Sequence, residues 1–241
     1  MKYITLFKTA TAYKAATLDL PNVSLIKETM SVNYNPYDPY MGHEYVEIGG
    51  LKWATINIGA NSITDTGLYF QWGDTQGYTA AQCGSGEGQK YFGWADYKYS
   101  DNGSSTVMTK YNSTDGKKVL EASDDAATAN WGGSWRMPTA AEYTALKNAV
   151  NSAWTADYQG SGVSGLVCTD KTDSSKVLFF PICGYCENGR VYYADSNGYY
   201  WSSSLENYVS RAYSLYFFNS YVSSKYYNDR CNGLPVRAVA D

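Results

Sequence analysis

The chain has 241 residues, a formal net charge of −4 and one histidine, and it contains 25 tyrosines and 22 glycines. This length is enough to bury a substantial core in one large or two small domains. The mildly acidic charge argues against nucleic acid as a partner. No stretch approaches the ~20 apolar residues of a membrane-spanning helix, so we expect no membrane insertion. The aromatic and glycine content favours a strand-rich, turn-rich protein.

The N-terminal segment, residues 1–44, differs from the rest of the chain. Its apolar run over Tyr3–Phe7 predicts a strand and is shorter than the roughly 7–15 residues of a signal-peptide core. Leu18–Ile26 predicts two extended pieces around a proline, and Asn33–Met41 contains two prolines, which is typical of a linker. We therefore predict no signal peptide, a boundary near residue 44, and an N-terminal segment for attachment or oligomerisation.

The sequence patterns that predict secondary structure become clearer from residue 45 onward. Gly49 and Gly50, flanked by alternating apolar residues, predict a two-residue hairpin. Gly67–Gly73 predicts an aromatic strand, residues 73–130 predict long loops with short strands, and Asp124-Asp125 predicts the start of a short helix.

The clearest helix signal lies in the middle of the chain. Thr139 and Glu142 have the spacing of a capping box. Tyr143, Leu146 and Val150 then recur on one helical face, which predicts a helix that ends near residue 151. Further strands are predicted over Val163–Cys168 and Val177–Ile182 and, as several short strands, from Tyr185 to the C-terminus.

The five cysteines are an odd number, so a disulfide framework is not indicated. Cys183 and Cys186 have the spacing of a redox or zinc half-site, but the sequence shows neither a thioredoxin-like context nor a second ligand pair. We interpret all five as ordinary buried or free thiols. They are Cys83, Cys168, Cys183, Cys186 and Cys231.

The region from Tyr199 to Asn232 has the most unusual composition, since tyrosine, serine and asparagine fill 20 of its 34 positions. Tyrosine offers a large contact area at low entropic cost, and serine and asparagine offer adaptable hydrogen bonds, as in paratopes. These residues alternate with a plainer scaffold set: Trp201, Ala212, Leu215, Phe217, Val222, Arg230, Gly233, Val236, Arg237 and Val239. We therefore predict a binding protein whose C-terminal surface contacts its ligand.

Several motifs occur in the order seen in one known family: Trp53–Gly59, Tyr69–Gly73, Asp125–Gly133, Trp135–Thr139, Gly198–Ser204 and Gly233–Arg237. With them, residues 45–241 resemble the Fibrobacter succinogenes major paralogous domain, a C-type-lectin-like domain of gut bacteria and their phages. The chain is also similar to the target proteins of diversity-generating retroelements. The resemblance implies an α+β, C-type lectin-like fold with small antiparallel sheets, one or two helices and long loops.

In such retroelement systems, adenines of a template repeat are copied unfaithfully. Asparagine codons then become codons for Tyr, Ser, Asp, Cys, Phe or Asn, but not for Lys, Glu, Gln, Met or Trp. The positions that match the variable slots all hold residues of the accessible set: Ser214, Tyr216, Phe218, Asn219, Tyr221, Ser223, Tyr226, Tyr227, Asn228, Asp229 and Cys231. Tyr208 and Ser210 are further candidates in the preceding loop, and Lys225 lies outside the accessible set.

The strand period of two gives the same division between scaffold residues and ligand-binding residues. Leu215 and Phe217 fall on one face, and Ser214, Tyr216 and Phe218 fall on the other. An exposed aromatic face lowers solubility unless it binds something. The alternative interpretation is that these aromatic residues pack on both faces of a sheet inside an aromatic-rich fold.

Candidate catalytic groups are few. His43 has no evident acid–base partner in the sequence, and Asp124 and Asp125 are interpreted as helix caps rather than as a glycosidase pair. The formylglycine-generating enzymes have a related fold and use a cysteine pair, but Cys183 and Cys186 do not lie in a motif that matches theirs.

We predict no cofactor. Asp101–Gly103 and Asp195–Gly198 could hold a structural calcium ion, but such clusters are usually turns. Arg136 and Arg237 lie inside scaffold motifs, and we expect them to make structural hydrogen bonds or ion pairs.

The expected function is that of a non-enzymatic, diversified ligand-binding protein, a receptor-binding adhesin for phage tail attachment to a host surface. Its partner would be a host cell-surface protein or glycan, its assembly a homo-oligomer such as a trimer, and its location the virion or a cell surface. One alternative is a bacterial cell-envelope structural or carbohydrate-binding protein with a fixed surface. Another is an enzyme of the sulfatase-modifying type.

Overall fold

Contacts between residues divide the chain into two units, Met1–Pro36 and Tyr37–Asp241. The computed structural model describes residues 38–241 and, in the first unit, the backbones of β1 (Tyr3–Thr9) and β2 (Ala12–Leu18). These two strands pair antiparallel along their whole length. The strand predicted over Tyr3–Phe7 is confirmed, whereas the extended pieces predicted between residues 18 and 26 lie outside the described residues beyond Leu18.

The second unit begins before the predicted boundary. Nε1 of Trp135 donates a hydrogen bond to the carbonyl oxygen of Tyr40 over 2.8 Å. The ring of His43 stacks on Trp131 with a centroid separation of 3.7 Å. Residues 38–44 therefore pack with the second unit, and the division of the chain falls after Pro36 rather than near residue 44.

The second unit is α+β. Its α-helices among the described residues are α1 (Ala126–Trp131) and α2 (Ala140–Ala149). Its strands are β3 (Tyr45–Ile48), β4 (Leu51–Ala54), β5 (Val150–Thr155), β6 (Gly165–Asp170), β7 (Val177–Pro181), β8 (Tyr185–Glu187), β9 (Arg190–Tyr192), β10 (Gly198–Leu205), β11 (Arg211–Phe218), β12 (Tyr221–Asp229) and β13 (Val239–Ala240).

These strands form small antiparallel sheets. Three sheets have three strands each, in the orders β13-β4-β3, β5-β6-β7 and β10-β11-β12, and β8 pairs with β9. The hairpin predicted at Gly49-Gly50 joins β3 and β4, and the strands predicted over Val163–Cys168 and Val177–Ile182 correspond to β6 and β7. The predicted α+β class is confirmed.

The strand predicted over Gly67–Gly73 is wrong. Tyr69 pairs with Tyr78 and Phe70 pairs with Leu234, each as an isolated bridge. The backbone of this segment thus hydrogen-bonds to two different neighbours, so no continuous ladder forms. Its aromatic residues reflect burial in the core rather than membership of a sheet.

The capping box of α2 is present. The backbone N–H of Glu142 donates to Oγ1 of Thr139 over 3.2 Å, and the N–H of Thr139 donates to Oε2 of Glu142 over 2.7 Å. Tyr143, Leu146 and Val150 are all buried, as the helical periodicity predicts. The helix ends at Ala149, because Val150 begins β5 and faces the same core.

Indole rings anchor the core on both sides of β10. Nε1 of Trp201 donates to the carbonyl oxygen of Phe70 over 2.7 Å, and Nε1 of Trp72 donates to the carbonyl oxygen of Ser202 over 2.9 Å. Burying one such side chain contributes about 2–3 kcal/mol. These contacts fix β10, which is the buried edge strand of the sheet β10-β11-β12.

Two arginines have the structural roles predicted for them. Arg237 is fully buried, and its Nε donates to Oδ1 of Asn57 over 2.8 Å, while its two Nη atoms donate to the carbonyl oxygens of Ala54 and Phe179 over 3.0 Å. Arg136 forms a bidentate pair with the Glu142 carboxylate.

Candidate ligand-binding surface

The tyrosine-rich region forms the sheet β10-β11-β12. Tyr199 of β10 lies opposite Tyr216 of β11, and Phe218 of β11 lies opposite Tyr221 of β12. Cross-strand neighbours have their Cβ atoms about 5 Å apart, so the register brings aromatic side chains of all three strands together. β10 is buried along most of its length, whereas β12 is the outer strand and has several exposed residues.

Rings from this sheet and from the β8–β9 region form one continuous set of contacts, which we call the aromatic band. It consists of Tyr185, Tyr193, Tyr199, Tyr216, Phe218, Tyr221, Tyr226 and Tyr227. Ring centroids are 5.1 Å apart between Tyr185 and Tyr199, and 4.7 Å apart between Tyr199 and Tyr216. Tyr226 lies 4.4 Å from Tyr216 and stacks on Tyr227 at 5.5 Å. These separations are typical of packed aromatic pairs.

Exposure increases from the centre of the band to its margin. Tyr199 is only 5% exposed, and Tyr216 is partly buried. Tyr193, Tyr221 and Tyr227, in contrast, are 56%, 48% and 44% exposed. The band is therefore a solvent-facing aromatic surface supported from below by buried rings.

Asn197 fixes the centre of the band. Its Nδ2 donates to Oη of Tyr216 over 2.9 Å and to Oη of Tyr199 over 3.4 Å. Burial raises the pKa of Tyr199 and of Tyr226, and it raises the pKa of Tyr185 to about 12. These phenols are neutral at neutral pH, so each hydroxyl can both donate and accept a hydrogen bond.

Arg211 extends the band at the turn between β10 and β11. Its guanidinium lies 4.5 Å from the ring centroid of Tyr227 and 5.3 Å from that of Tyr208, which are cation–π distances. Its Nε is 3.8 Å from Oδ1 of Asp229. Since Tyr208 is 67% exposed, this end of the band presents a cation between two accessible rings.

The structure separates the sequence-predicted ligand-binding residues by depth. Six are exposed: Tyr208, Phe218, Asn219, Tyr221, Tyr226 and Tyr227. Four are partly buried: Ser210, Tyr216, Ser223 and Asp229. Ser214, Asn228 and Cys231 are buried.

The predicted two-face division of β11 holds in its C-terminal half. Leu215 and Phe217 are at most 3% exposed, whereas Tyr216 is partly buried and Phe218 is exposed. Ser214 lies on the same face as Tyr216, as the strand period predicts, but it is fully buried. This face is covered at the Ala212 end of the strand, because Ala212 packs in the core cluster of Tyr199 and Trp201 and Ser214 pairs with buried Asn228.

The prediction that Ser214, Asn228 and Cys231 bind the ligand is wrong, because their side chains make buried contacts. Oγ of Ser214 donates to Oδ1 of Asn228 over 2.8 Å in a buried pair. Cys231 packs in a small apolar cluster with Tyr97 and Met108, and burial raises the pKa of its thiol. These side chains lie beneath the surface and support it, so they do not offer atoms to a ligand.

Sequence reasoning missed part of the surface. The missed members are Tyr185, Tyr193, Asn197, Tyr199 and Arg211. The density of tyrosine upstream of residue 199 was a usable signal for the first two. The hydrogen bond from Asn197 to Tyr216, in contrast, joins residues 19 positions apart and depends on the packing of the turn before β10 against β11.

A cleft of about 300 Å³ adjoins the Arg211 end of the band. It lies between the segment 106–118 and residues 205–209, and Asn207 and Val209, which flank Tyr208 in the chain, line it. The other lining residues are mostly polar and include Asn112, Ser113, Thr114 and Lys118. Its volume is at the lower end of the roughly 300–1,000 Å³ of small-molecule pockets.

The carboxylates weighed for catalysis have structural roles. Oδ1 of Asp125 accepts the N–H of Thr128 over 2.9 Å and thereby caps α1. Asp124 accepts hydrogen bonds from Nζ of Lys110 and Oη of Tyr111. Burial alone would raise the pKa of Asp124, but these hydrogen bonds hold it well below its usual range.

The loops weighed as calcium sites are turns. The N–H of Ser104 donates to the carbonyl oxygen of Asp101 over 2.9 Å, and the N–H of Asn197 donates to that of Tyr193 over 3.0 Å. In the described part of the chain, no group of three or more His, Cys, Asp or Glu side chains is placed to hold a metal ion. Over the same residues, no helix has the length and apolar character to cross a membrane.

Residues 168–239 match the model of a family described as a domain of unknown function, DUF8237. The matched segment covers less than half of the chain, but it contains β7–β12 and therefore the whole aromatic band. No curated protein and no solved structure matches the chain.

Proposed function

We propose that this protein is a diversified ligand-binding protein, a receptor-binding adhesin that presents the aromatic band to a host cell-surface protein or glycan during phage tail attachment. The observation that carries the proposal is the exposure of Phe218, Tyr221, Tyr226 and Tyr227 together on one packed surface. A contiguous exposed aromatic patch indicates an interaction site. Tyrosine is also enriched among the residues that dominate binding energy.

The support beneath the band favours binding by a preorganised surface. Tyr199 and Tyr216 are held by Asn197 and by strand pairing, so their rotamers are fixed before a ligand arrives. A surface that is already ordered loses less conformational entropy on binding. Tyrosine adds to this advantage because its side chain has only two χ angles.

Diversification is the second part of the proposal. The six exposed predicted positions all hold residues that unfaithful copying of asparagine codons can produce. The neighbours that pack into the core, such as Trp201, Leu215 and Phe217, lie between or before these positions. Changes at the exposed positions would therefore alter the ligand without removing core contacts. The resemblance to C-type lectin-like targets of diversity-generating retroelements supports the same mechanism.

The binding test uses the fluorescently labelled full chain and a panel of intact gut Bacteroidetes cells. We expect saturable binding to some members of the panel. Replacement of Tyr221, Tyr226 and Tyr227 together with serine should raise the apparent Kd at least about 30-fold, because hot-spot residues contribute ~2 kcal/mol or more. Loss of binding after protease treatment of the cells would identify a protein receptor, and loss after periodate treatment would identify a glycan.

The matched control is Tyr45→Ser, which removes a tyrosine of similar exposure, 41%, from β3. This variant should bind as the wild type does. Undiminished binding by the triple variant, with an unchanged melting temperature, would contradict the role of the band.

The test of diversification is genomic. We expect an adenine-rich, imperfect copy of the codons for roughly residues 199–237 beside a reverse transcriptase gene. A locus without that copy would instead support the alternative, a bacterial cell-envelope structural or carbohydrate-binding protein with a fixed surface.

A further inference from the structure

We propose that Cys83 and Cys186 form a disulfide bond when the protein enters an oxidising environment. The bond would connect the loop around residue 83 to β8, the strand that supplies Tyr185 to the aromatic band. This inference does not depend on the identity of the ligand or on the proposed function.

The two thiols belong to one small core cluster. Cys186 is fully buried beside Tyr69 and Phe92, and Cys83 packs against this cluster from its partly exposed side. Hydrogen bonding to Cys186 and to the backbone of Glu187 lowers the pKa of the Cys83 thiol, against the opposing effect of burial. The Cys83 side chain therefore lies against both Cys186 and the residue that follows it.

Backbone contacts hold the β8–β9 turn against the segment that follows Cys83. The N–H of Gly189, in the turn between β8 and β9, donates to the carbonyl oxygen of Tyr91 over 2.6 Å, and the N–H of Asn188 donates to that of Phe92 over 3.3 Å. A Cβ atom placed on Gly189 would lie 3.4 Å from the Cα of Gly84, the neighbour of Cys83. The β8–β9 turn is thus docked on the loop that contains Cys83.

The two thiols differ in reactivity in the way that stepwise oxidation requires. The hydrogen bond from Cys186 lowers the pKa of Cys83, and the same hydrogen bond together with burial raises the pKa of Cys186. Cys83, which is also partly exposed, is therefore the thiol that meets a soluble oxidant first.

With oxidised glutathione as the oxidant, the reaction balances in two steps. The Cys83 thiolate attacks one glutathione sulfur, a mixed disulfide forms, and one glutathione thiolate leaves. Cys186 then loses its proton and attacks the Cys83 sulfur, which releases the second glutathione. Two protein thiols are oxidised, one glutathione disulfide is reduced, and the two thiol protons end on the two glutathione molecules.

The remaining cysteines are not placed for this reaction. Cys168 and Cys183 are at most 2% exposed, and burial raises the pKa of each to about 12. Sγ of Cys183 hydrogen-bonds to the backbone N–H and carbonyl oxygen of Tyr199 at 3.2 Å. Cys231 is also buried, so the odd number of thiols resolves into one pair and three core residues.

The experiment compares the full chain before and after incubation with oxidised glutathione. Both samples are alkylated, digested without reduction and mapped by mass spectrometry. We expect one cross-linked species that joins the peptides of Cys83 and Cys186. The melting temperature should rise by roughly 5–15 °C on oxidation, because the bond closes a long loop in the unfolded chain.

Two variants make the result specific. In Cys83→Ser the oxidation-dependent rise in melting temperature should disappear, whereas Cys168→Ala should retain both the rise and the cross-linked peptide. Cys83 found alkylated or still carrying glutathione after oxidation, or Cys186 linked to Cys183 instead, would overturn the proposal. Peptide mapping of the wild type decides the question even if a variant fails to fold.

Discussion

Buried guanidinium groups without a carboxylate partner set the tightest requirements in the core. The donors of Arg237 go to two carbonyl oxygens and one amide oxygen, and its guanidinium lies 4.8 Å from the ring centroid of Phe180. Desolvation lowers the pKa of Arg237, and burial of this charge is tolerated because each of its three nitrogens donates to a buried oxygen.

Arg237→Met should therefore be strongly destabilising. The change removes the hydrogen bonds that Arg237 donates to buried oxygens of Ala54, Asn57 and Phe179, and we expect the free energy of unfolding to fall by about 3 kcal/mol. Urea denaturation measures the change. Arg190→Met, at an exposed arginine of β9, serves as the control and should stay within about 0.5 kcal/mol of the wild type.

Asp124 makes stability depend on pH. Burial raises its pKa, but hydrogen bonds from Lys110, Tyr111 and Tyr99 and the charge of Lys98 more than offset this, so the folded pKa lies below the unfolded value of ~3.9. The ionised carboxylate therefore contributes stability that is fully present above the unfolded pKa. That contribution is lost as the pH falls through the folded pKa.

We expect Asp124→Asn to lower the free energy of unfolding by about 2 kcal/mol at pH 7, a value reduced by the partial exposure of its lysine partners. Below pH ~4 the wild-type and variant curves should converge. Urea denaturation between pH 7 and pH 2 gives both curves. Parallel curves over this range would show that Asp124 does not titrate as described, and Asp195→Asn controls for the loss of one exposed negative charge.

At the scale of elements, local chemistry explains why α2 lies where the sequence predicts it. The reciprocal hydrogen bonds of Thr139 and Glu142 satisfy two backbone N–H groups at the start of the helix, and Arg136 holds the same carboxylate. Tyr143 and Leu146 then place the helix against the core. All of these residues lie within a few positions of each other, so their pattern is visible without the tertiary structure.

Thr139→Ala tests this cap. It removes the acceptor for the N–H of Glu142, and we expect the free energy of unfolding to fall by about 1 kcal/mol. Thr139→Ser keeps the hydroxyl and should recover most of that loss in the same thermal or urea denaturation. Equal stability of the two variants would mean that the cap contributes nothing measurable.

The β10-β11-β12 sheet shows the limit of element-level prediction. Alternation along β11 correctly assigns Leu215 and Phe217 to the core, but it does not show that the opposite face is also covered at Ala212 and Ser214. That cover comes from a core cluster that includes residues distant in the sequence, such as Trp72 and Leu234, which the sequence of β11 alone does not contain.

At the scale of the whole molecule, the second unit contains the described core clusters and the aromatic band. It also contains residues 38–44, which precede β3 and pack against Trp131 and Trp135. A chain consisting of Tyr37–Asp241 should therefore fold with the same melting temperature and the same near-ultraviolet circular dichroism as that unit has in the full chain. If the first unit serves oligomerisation, as the sequence suggests, the full chain but not the shortened one should self-associate in light scattering. An unfolded or aggregated Tyr37–Asp241 chain would contradict this division.

By itself, the sequence determined what depends on near neighbours. It identified the hairpin at Gly49 and Gly50, whose φ angles of 62° and 83° suit glycine, and it identified the capped helix α2. It also identified the tyrosine-rich region, because an excess of one residue type needs no coordinates to be seen.

Only the tertiary structure decided which of those residues a ligand can reach. Contacts between distant positions placed Ser214, Asn228 and Cys231 below the surface, added Tyr185 and Tyr193 to it, and brought Cys83 beside Cys186. Arg237 and Asn57 are bonded across 180 positions of sequence. Residue periodicity reports the faces of a single strand or helix, whereas depth and adjacency are set by how elements far apart in the chain pack together.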